Sequence, residues 1–335
     1  MRLGLELLEP REVPAVFTVT TNSDVVDAND GVTSLREAVN AANAEPAGQQ
    51  QLITFAQPTK TFPGLGPTIT LNSQLTLQNS IYIAGPGADV LAITRNAAMG
   101  DFRLFEVKAG SSSIIGGLKL RGGKAPAGEN GGAILDGGNL TVTGCVVRDS
   151  TASRGGGIAT VAQTLSGGGT QKSALTIYDT VITNNTADFG GGIAVVDGDM
   201  TASNGVEISL NTGTFGGGGI YIYKVATALA PQVNLTDIYI TQNTTEWDGG
   251  GINCAEGAVT LTGGSITFNT AGTEGAERRG GGVFLDEKGT LIAANNPTIG
   301  YNTATTGDGM YIKAGGAKSG SITYVDDSEY DGNSA

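Results

Sequence analysis

The side chains that could carry chemistry recur just before a series of glycine clusters. They are Arg154, Asp188, Phe189, Phe215, Glu246, Trp247, Asp248, Arg278 and Arg279, and we call this set the surface stripe. Carboxylates beside arginines could form a lyase-like Ca²⁺ site, and aromatic rings can stack on sugars or pack against another protein. The structural alternative is that the rings shield a turn and the charges pair with one another.

The chain of 335 residues contains no histidine. This excludes imidazole bases, Ser-His-Asp triads and most zinc sites. The pair Asp326-Asp327 lies at the predicted end of the molecule, where solvated carboxylates are expected. The sequence therefore predicts no catalytic residue, no cofactor and no enzyme.

One acidic loop resembles a calcium loop loosely. Asp24, Asp27, Asn29 and Asp30 lack the regular alternation and the distal glutamate of an EF-hand. Asx turn chemistry accounts for the same residues. We therefore predict no metal site, and weak calcium binding is the alternative.

The glycine clusters are part of a repeat that predicts the architecture. They begin at positions 131, 155, 190, 216, 249, 280 and 307, with steps of 24 to 35 residues. Between them lie short segments rich in Val, Ile, Leu and Thr that alternate with period two. Unequal spacing with constant strand segments predicts an all-β fold, a single-stranded, right-handed parallel β-helix. We expect about eleven coils and a rod on the order of 50 Å long.

An asparagine recurs before most of the glycine clusters. The set is Asn185, Asn211, Asn243, Asn269 and Asn302. Because coils stack in register, these amides are predicted to form a hydrogen-bonded Asn ladder. The sharp turn at this position is also predicted to have positive φ, which Asn and Gly tolerate best.

The chain divides into four predicted segments: 1–15 for export or assembly, 16–50 with a strand and a capping helix, 51–325 as the β-helix, and 326–335 as a polar tail. Ser34 and Glu37 form a predicted capping box. Apolar residues at helical spacing follow Ser34, so this helix is expected to cover the first coil.

Three motifs resemble those of known exported proteins. Thr33-Ser-Leu-Arg-Glu-Ala38 resembles the CSLREA segment of bacterial secreted β-helix proteins, with Thr33 in place of the family's cysteine. The Gly-Gly-Ile and Ile-x-x-Asn repeats resemble those of polymorphic outer-membrane and autotransporter passenger proteins. Leu8-Glu-Pro-Arg11 and Val13-Pro-Ala15 are similar to a motif of planctomycete surface proteins. The resemblance implies a bacterial, extracellular or cell-surface location, and it implies little about activity.

The net charge limits the classes of partner, and the positions of the cysteines limit the possible disulfide bonds. The net charge of −13 disfavours nucleic acid, and no apolar run is long enough for a transmembrane helix. Cys145 and Cys254 are predicted to lie three to four coils apart as buried thiols, beyond disulfide reach.

These observations predict a non-enzymatic structural protein that assembles with itself, head to tail, into a fibre through its terminal coils. The predicted assembly residues are Val16, Phe17, Thr18, Ser321, Ile322, Tyr324 and Tyr330. One alternative is a protein that binds glycans or degrades polysaccharides through the surface stripe. Another alternative is an adhesin that binds a protein.

Overall fold

The computed structural model describes residues 14–56, 67–164, 169–225, 229–272, 277–325 and 330–332. Over these residues the chain forms an all-β parallel solenoid of about nine turns, with one α-helix. The predicted parallel β-helix is confirmed. The coils contribute strands to three parallel ladders, and the coils between Thr151 and Ala271 also contribute to a fourth.

Ladders 1 and 2 form two neighbouring walls of the solenoid. Ladder 1 contains Leu75–Leu77, Phe105–Val107, Ile134–Asp136, Ile158–Val161, Ile193–Val196, Ile220–Tyr223, Met310–Ile312 and Tyr330–Gly332. Ladder 2 contains Val16–Val19, Gln51–Phe55, Ile81–Ala84, Ser112–Gly116, Asn139–Thr143, Ala174–Tyr178, Asp199–Ser203, Gln232–Thr236 and Ala317–Ser319. Two long strands, Ile252–Thr262 and Val283–Ala294, run through both ladders.

Ladders 3 and 4 complete the coil. Ladder 3 contains Thr68–Leu71, Ala92–Arg95, Lys119–Arg121, Val146–Arg148, Val181–Thr183, Glu207–Ser209, Tyr239–Thr241, Ser265–Thr267, Thr298–Gly300 and Thr323–Val325. Ladder 4 contains Thr151–Arg154, Thr186–Phe189, Thr212–Gly216, Thr244–Thr245 and Thr270–Ala271. Outside the ladders lie a 3₁₀ turn, Ala97–Met99, and an antiparallel pair, Gln163–Thr164 with Thr170–Gln171.

The number of coils is smaller than the predicted eleven. Ladder 3 has three strands before position 131 and seven after it, whereas we expected four and seven. The missing coil is replaced by helix α1, Leu35–Ala44, and the turns that precede it. At about 4.8 Å per step the rod is therefore about 45 Å long.

Helix α1 forms as predicted and covers one end of the core. The Ser34 side chain accepts from the Glu37 backbone N–H at 3.1 Å, and the Ser34 N–H donates to the Glu37 carboxylate at 2.7 Å. The buried face of α1 consists of the four apolar residues predicted from spacing, Leu35, Ala38, Val39 and Ala42.

The segment predicted as a polar tail contains a strand. Tyr330–Gly332 pairs in parallel with Met310–Ile312, so the solenoid continues past residue 325. The predicted export segment lies outside the described residues except for positions 14 and 15.

The predicted Asn ladder is confirmed. Its five asparagines are between 0% and 5% exposed at the corner between ladders 3 and 4. At each step the side-chain Nδ2 and the backbone N–H of one asparagine both donate to Oδ1 of the next, at 2.9–3.0 Å. Ser150 opens the stack, because its N–H donates to Asn185 Oδ1 at 3.1 Å. The buried amides are thus paired along the whole ladder.

The predicted conformation of this corner is wrong by one residue. None of the ladder asparagines has positive φ, and the residue before each one does, with φ between +54° and +58°. These preceding residues are Asn184, Leu210, Gln242, Phe268 and Tyr301. The asparagine must direct its side chain into the core to bond the stack, so the chain turns one residue earlier. The turning residue points outward, where the core does not limit its size.

The glycine clusters close the corner between ladders 4 and 1. The first glycine of each cluster, or the second (Gly217) in the cluster that begins at 216, has φ between +61° and +73°, which favours glycine. The next glycine allows close packing of coils, because a Cβ on Gly218 would lie 2.4 Å from the Thr244 carbonyl oxygen. The clusters therefore serve the scaffold, as predicted.

Both cysteines are buried thiols, as predicted, and they are not bonded to each other. Burial raises the pKa of Cys145 to about 11 and the pKa of Cys254 to about 12. Both thiols are therefore protonated at neutral pH and poorly reactive.

Candidate functional site

The surface stripe forms two adjacent columns rather than one. Arg154, Phe189, Gly216 and Asp248 are successive partners between coils, and Asp188, Phe215 and Trp247 precede members of this column by one position. The offset arises from a register shift between these strands, because Ala187 pairs with Gly213 but Phe189 pairs with Gly216, so Phe215 falls one position before the column. Both columns lie at the outer end of ladder 4, where the strands hold them at the spacing of the coils.

The aromatic rings of the stripe contact one another along the rod. The ring centroids of Phe189 and Phe215 are 5.6 Å apart, and those of Phe215 and Trp247 are 6.1 Å apart with nearly perpendicular planes. Phe215 is 45% exposed and Trp247 is 47% exposed. The sequence had predicted these three rings as neighbours, and the structure brings them together.

Two arginines stack on the ends of this line. The guanidinium of Arg154 lies 5.6 Å from the centroid of Phe189, and that of Arg278 lies 5.0 Å from Trp247. Neither arginine forms an ion pair within the described ranges. The Nε of Arg278 is buried and has no hydrogen-bond partner among the described residues.

The other charged members of the stripe have separate roles. Asp248 and Arg279 form an ion pair of 2.7 Å. The Ser153 hydroxyl donates to Asp188 at 2.9 Å, and Glu246 is exposed. Two of the three carboxylates of the stripe, Asp188 and Asp248, are therefore already bound by other side chains of the protein.

Four aromatic residues beside the stripe were missed by the sequence analysis. Tyr221 lies 4.9 Å from Phe189 and 6.0 Å from Tyr223, measured between ring centroids. Phe284 and Tyr311 stack at 5.9 Å, and Arg279 lies over both rings. The four occupy outward positions of ladder 1, and only the register between coils brings them to the stripe.

We define the aromatic face as Arg154, Phe189, Phe215, Tyr221, Tyr223, Trp247 and Arg278. Burial raises the pKa of Tyr221 to about 12, so its phenol stays protonated and able to donate a hydrogen bond. The face thus combines apolar rings with donors of hydrogen bonds on a rigid scaffold.

A column of threonines runs beside the aromatic face, and it was also missed. Each threonine follows a residue of the Asn ladder or, at the first position, Ser150. The column is Thr151, Thr186, Thr212, Thr244, Thr270 and Thr303. All except Thr270 are exposed, and the hydroxyls of Thr212 and Thr244 are 3.3 Å apart. Repeated Asn-Thr or Ser-Thr pairs were the available sequence signal.

A cleft of about 330 Å³ lies at the N-terminal end of the surface stripe and of the threonine column. Its lining includes Asp101, Lys124, Thr151, Ser153 and Asp188. Lys124 and Asp101 form an ion pair of 2.9 Å within it.

The edge of ladder 1 is sealed at the N-terminal end of the rod. Asn43 donates to the Thr76 carbonyl at 2.8 Å and accepts from the Gln78 N–H at 2.9 Å, and so occupies the edge of the first strand in ladder 1. Arg36 donates to the carbonyls of Ser73 and Gln74 at 2.7 and 3.1 Å.

The acidic loop contributes to the same seal. Asp24 forms a two-bond pair with Arg36, at 2.9 and 2.8 Å, and accepts from the Asn72 N–H at 2.6 Å. Asp27 and Asp30 accept from backbone N–H groups two residues ahead, at 3.0 Å each. The loop side chains thus act in turns and in the seal.

The predicted assembly residues lie at both ends of the rod. Val16 and Thr18 are exposed on the first strand of ladder 2, and Phe17 packs partly against the core. At the other end Ser321 is exposed, whereas Ile322 and Tyr324 pack partly against the core. The backbone of Tyr330 pairs with that of Met310.

A buried carboxyl group lies inside the solenoid between ladders 1 and 2. Asp136 is 0% exposed, and it accepts from the Gly138 N–H at 3.0 Å and from the Thr160 hydroxyl at 3.3 Å. Thr160 is in turn bonded to Ser173. Burial raises the pKa of Asp136 to about 8. The sequence reads here as a surface turn, so this group was missed.

Within the described ranges, no cluster of three or more Cys, Asp or Glu side chains is arranged to hold a metal ion. In the same ranges, no helix has the length and apolar character needed to span a membrane. Comparisons with known protein families, curated proteins and solved structures found no match.

Proposed function

We propose that this chain is a non-enzymatic structural protein of the cell exterior, a rigid rod that engages a partner through the aromatic face. The observation that carries the proposal is the exposed pair Phe215 and Trp247, held in line on consecutive coils. Contiguous exposed rings are costly in water unless a partner covers them. The absence of histidine and the motifs that resemble exported β-helix proteins support the non-enzymatic and external assignments.

Replacing both Phe215 and Trp247 by alanine is expected to release the protein from the producing cell. Buried aromatic anchors each contribute about 2 kcal/mol or more to an interface, so the double variant should lose at least tenfold in retention. Retention is measured by immunoblotting washed cells and medium, with external protease confirming exposure at the surface.

Tyr239→Ala is the matched control, because Tyr239 is an aromatic residue of similar exposure, 52%, on ladder 3. It should be retained like the wild type, and all variants should show the same circular dichroism spectrum. Retention of the double variant at the wild-type level would refute the role of the face.

We also propose end-to-end assembly as a second function, favoured by the strand edge at the start of ladder 2. In the described part of the chain, Val16–Val19 pairs only with Gln51–Phe55, and Ala317–Ser319 is the last described strand of the same ladder. Both strands belong to ladder 2, so one copy could continue the parallel ladder of the next. The seal restricts this contact at the N-terminal end to ladder 2.

Thr18→Pro is expected to abolish fibres without unfolding the rod. Hydrogen-bonding groups alternate in direction along a strand, and the neighbouring Ala15 and Val19 carbonyls accept from Leu52 and Ala56. The Thr18 N–H therefore faces the edge that no described strand covers, where proline removes a donor and is tolerated. Negative-stain electron microscopy should show wild-type fibres with a repeat of about 45 Å and short rods for the variant. Separate short rods in the wild type would exclude this assembly.

A further inference from the structure

Three rings of the aromatic face form a row parallel to the rod axis, and Tyr221 and Tyr223 lie beside that row. The rings of Phe189, Phe215 and Trp247 follow one another at 5.6 and 6.1 Å, one ring per coil. A stable protein interface buries about 800 Å² on each partner and is usually broad. A row of rings that follows the axis is better matched by an extended chain that lies along it.

The threonine column provides hydroxyl groups along the same line. Thr186, Thr212 and Thr244 each lie three residues before a ring of the row, Phe189, Phe215 and Trp247 respectively. Each hydroxyl can donate one hydrogen bond and accept others. A ligand here would meet apolar rings and, beside them, a row of hydroxyls at the spacing of the coils. Sugar rings are complementary to such a surface, because they carry C–H groups on one face and hydroxyls at the edge.

The charge of the face disfavours a polyanion. The positive charges of Arg154 and Arg278 are matched in number by the carboxylates of Asp188 and Glu246, and Arg279 is paired with Asp248. The whole chain carries a net charge of −13, which would repel an acidic polymer. Guanidinium groups that stack on rings and form no ion pair with the described residues can instead donate to neutral oxygen acceptors.

The cleft provides a place for the end of such a chain. It has a volume of about 330 Å³ and takes Thr151 from the threonine column and Asp188 from the surface stripe. The carboxylates of Asp101 and Asp188 can accept hydrogen bonds from sugar hydroxyls. The charges of Asp101 and Lys124 cancel within their ion pair.

We propose that the aromatic face binds a neutral polysaccharide that lies along the rod axis with one end in the cleft. This inference rests on the proposed function, because it names the partner of the same face. The chain stacks on Phe215 and Trp247, its hydroxyls bond the threonine column, and Arg154 and Arg278 donate to its oxygens.

The test measures binding of the purified full chain to defined polysaccharides. Affinity electrophoresis and calorimetry are performed with neutral glucans, mannan and chitin oligosaccharides, and with polygalacturonate and alginate as acidic probes. We expect binding to at least one neutral polymer, no binding to the acidic ones, and little change when salt is raised. Trp247→Ala should weaken binding at least tenfold, whereas Tyr239→Ala should leave it unchanged.

A second variant tests the cleft separately from the rings. Asp188→Asn keeps the size of the side chain, and it should weaken binding of short oligosaccharides severalfold while preserving the melting temperature. Equal binding by wild type and Trp247→Ala would overturn the assignment, as would binding of acidic polymers alone.

These experiments distinguish a failure of the polysaccharide inference from a failure of the proposed function. If Phe215→Ala/Trp247→Ala is released from cells but no neutral polysaccharide binds, and protease treatment of stripped cells removes their capacity to rebind wild type, the partner is a protein. The polysaccharide inference then fails while the proposed function stands. If the double variant remains on cells, the proposed function fails whatever the binding data show.

Discussion

Replacing Asn211 by alanine should lower the free energy of unfolding by on the order of 4 kcal/mol. The substitution removes an Oδ1 that accepts from the N–H and the Nδ2 of Asn185, both at 3.0 Å. It also removes an Nδ2 that donates to the Ile182 carbonyl and to Asn243 Oδ1, both at 2.9 Å. Four buried groups lose a partner. Asn185 Nδ2 keeps its bond to the Val147 carbonyl and Asn243 Oδ1 keeps its bond from the Asn211 N–H, so two groups lose the partner named here without such a replacement, and each costs about 1–3 kcal/mol.

The measurement is the urea midpoint followed by circular dichroism. Asn234→Ala is the control, because Asn234 is exposed on ladder 2 and should change stability by less than about 0.5 kcal/mol. If Asn211→Ala unfolds within 1 kcal/mol of the wild type, about the worth of one hydrogen bond, the ladder does not stabilise the rod as argued.

Asp136→Asn should stabilise the protein at alkaline pH by several kcal/mol. Asparagine keeps an oxygen for the Gly138 N–H and carries no charge into the core. Burial raises the pKa of Asp136 to about 8, and one pKa unit corresponds to about 1.4 kcal/mol. The wild type must bury a carboxylate above this pH, and the variant does not.

The direction in which stability changes with pH follows from proton linkage. Below about pH 4 both the folded and the unfolded wild type hold the proton, so Asp136 carries no ionisation penalty. Between about pH 4 and the folded pKa of about 8 only the unfolded state releases the proton, so stability falls as pH rises. The difference between variant and wild type should therefore be small at pH 4 and largest at pH 9.

Urea midpoints at pH 4, 6 and 9 test this dependence. The exposed Asp237→Asn serves as the control and should show no comparable trend. A difference between Asp136→Asn and wild type that is the same at pH 4 and pH 9 would contradict a buried, protonated carboxyl group.

Features set by local sequence were predictable. The capping box of Ser34 and Glu37 needs only a spacing of three, and it is present in the structure. The Asn ladder follows from a repeated phrase, because stacked coils place equal phrases above one another. The rings of Phe189, Phe215 and Trp247 were found for the same reason.

Features that depend on distant partners were not predictable. Tyr221 reaches Phe189 only through the register between coils, and loops of unequal length hide that register in the sequence. Arg36 and Asn43 meet the edge around positions 73–78, more than 30 residues away. Asp136 stands in a Leu-Asp-Gly-Gly sequence that is typical of exposed turns, and only its position inside the coil makes it a core residue.

The sealed N-terminal end also has a consequence for how the chain acquires its structure. Helix α1, its Asp24–Arg36 pair and the first coils lie within the first 80 residues, so they can form early in synthesis. Each later coil then adds to an edge completed about 24 to 35 residues before, and closing such short loops costs little entropy. We therefore expect vectorial folding, in which the sealed end acts as a nucleus and the rod grows one coil at a time behind it.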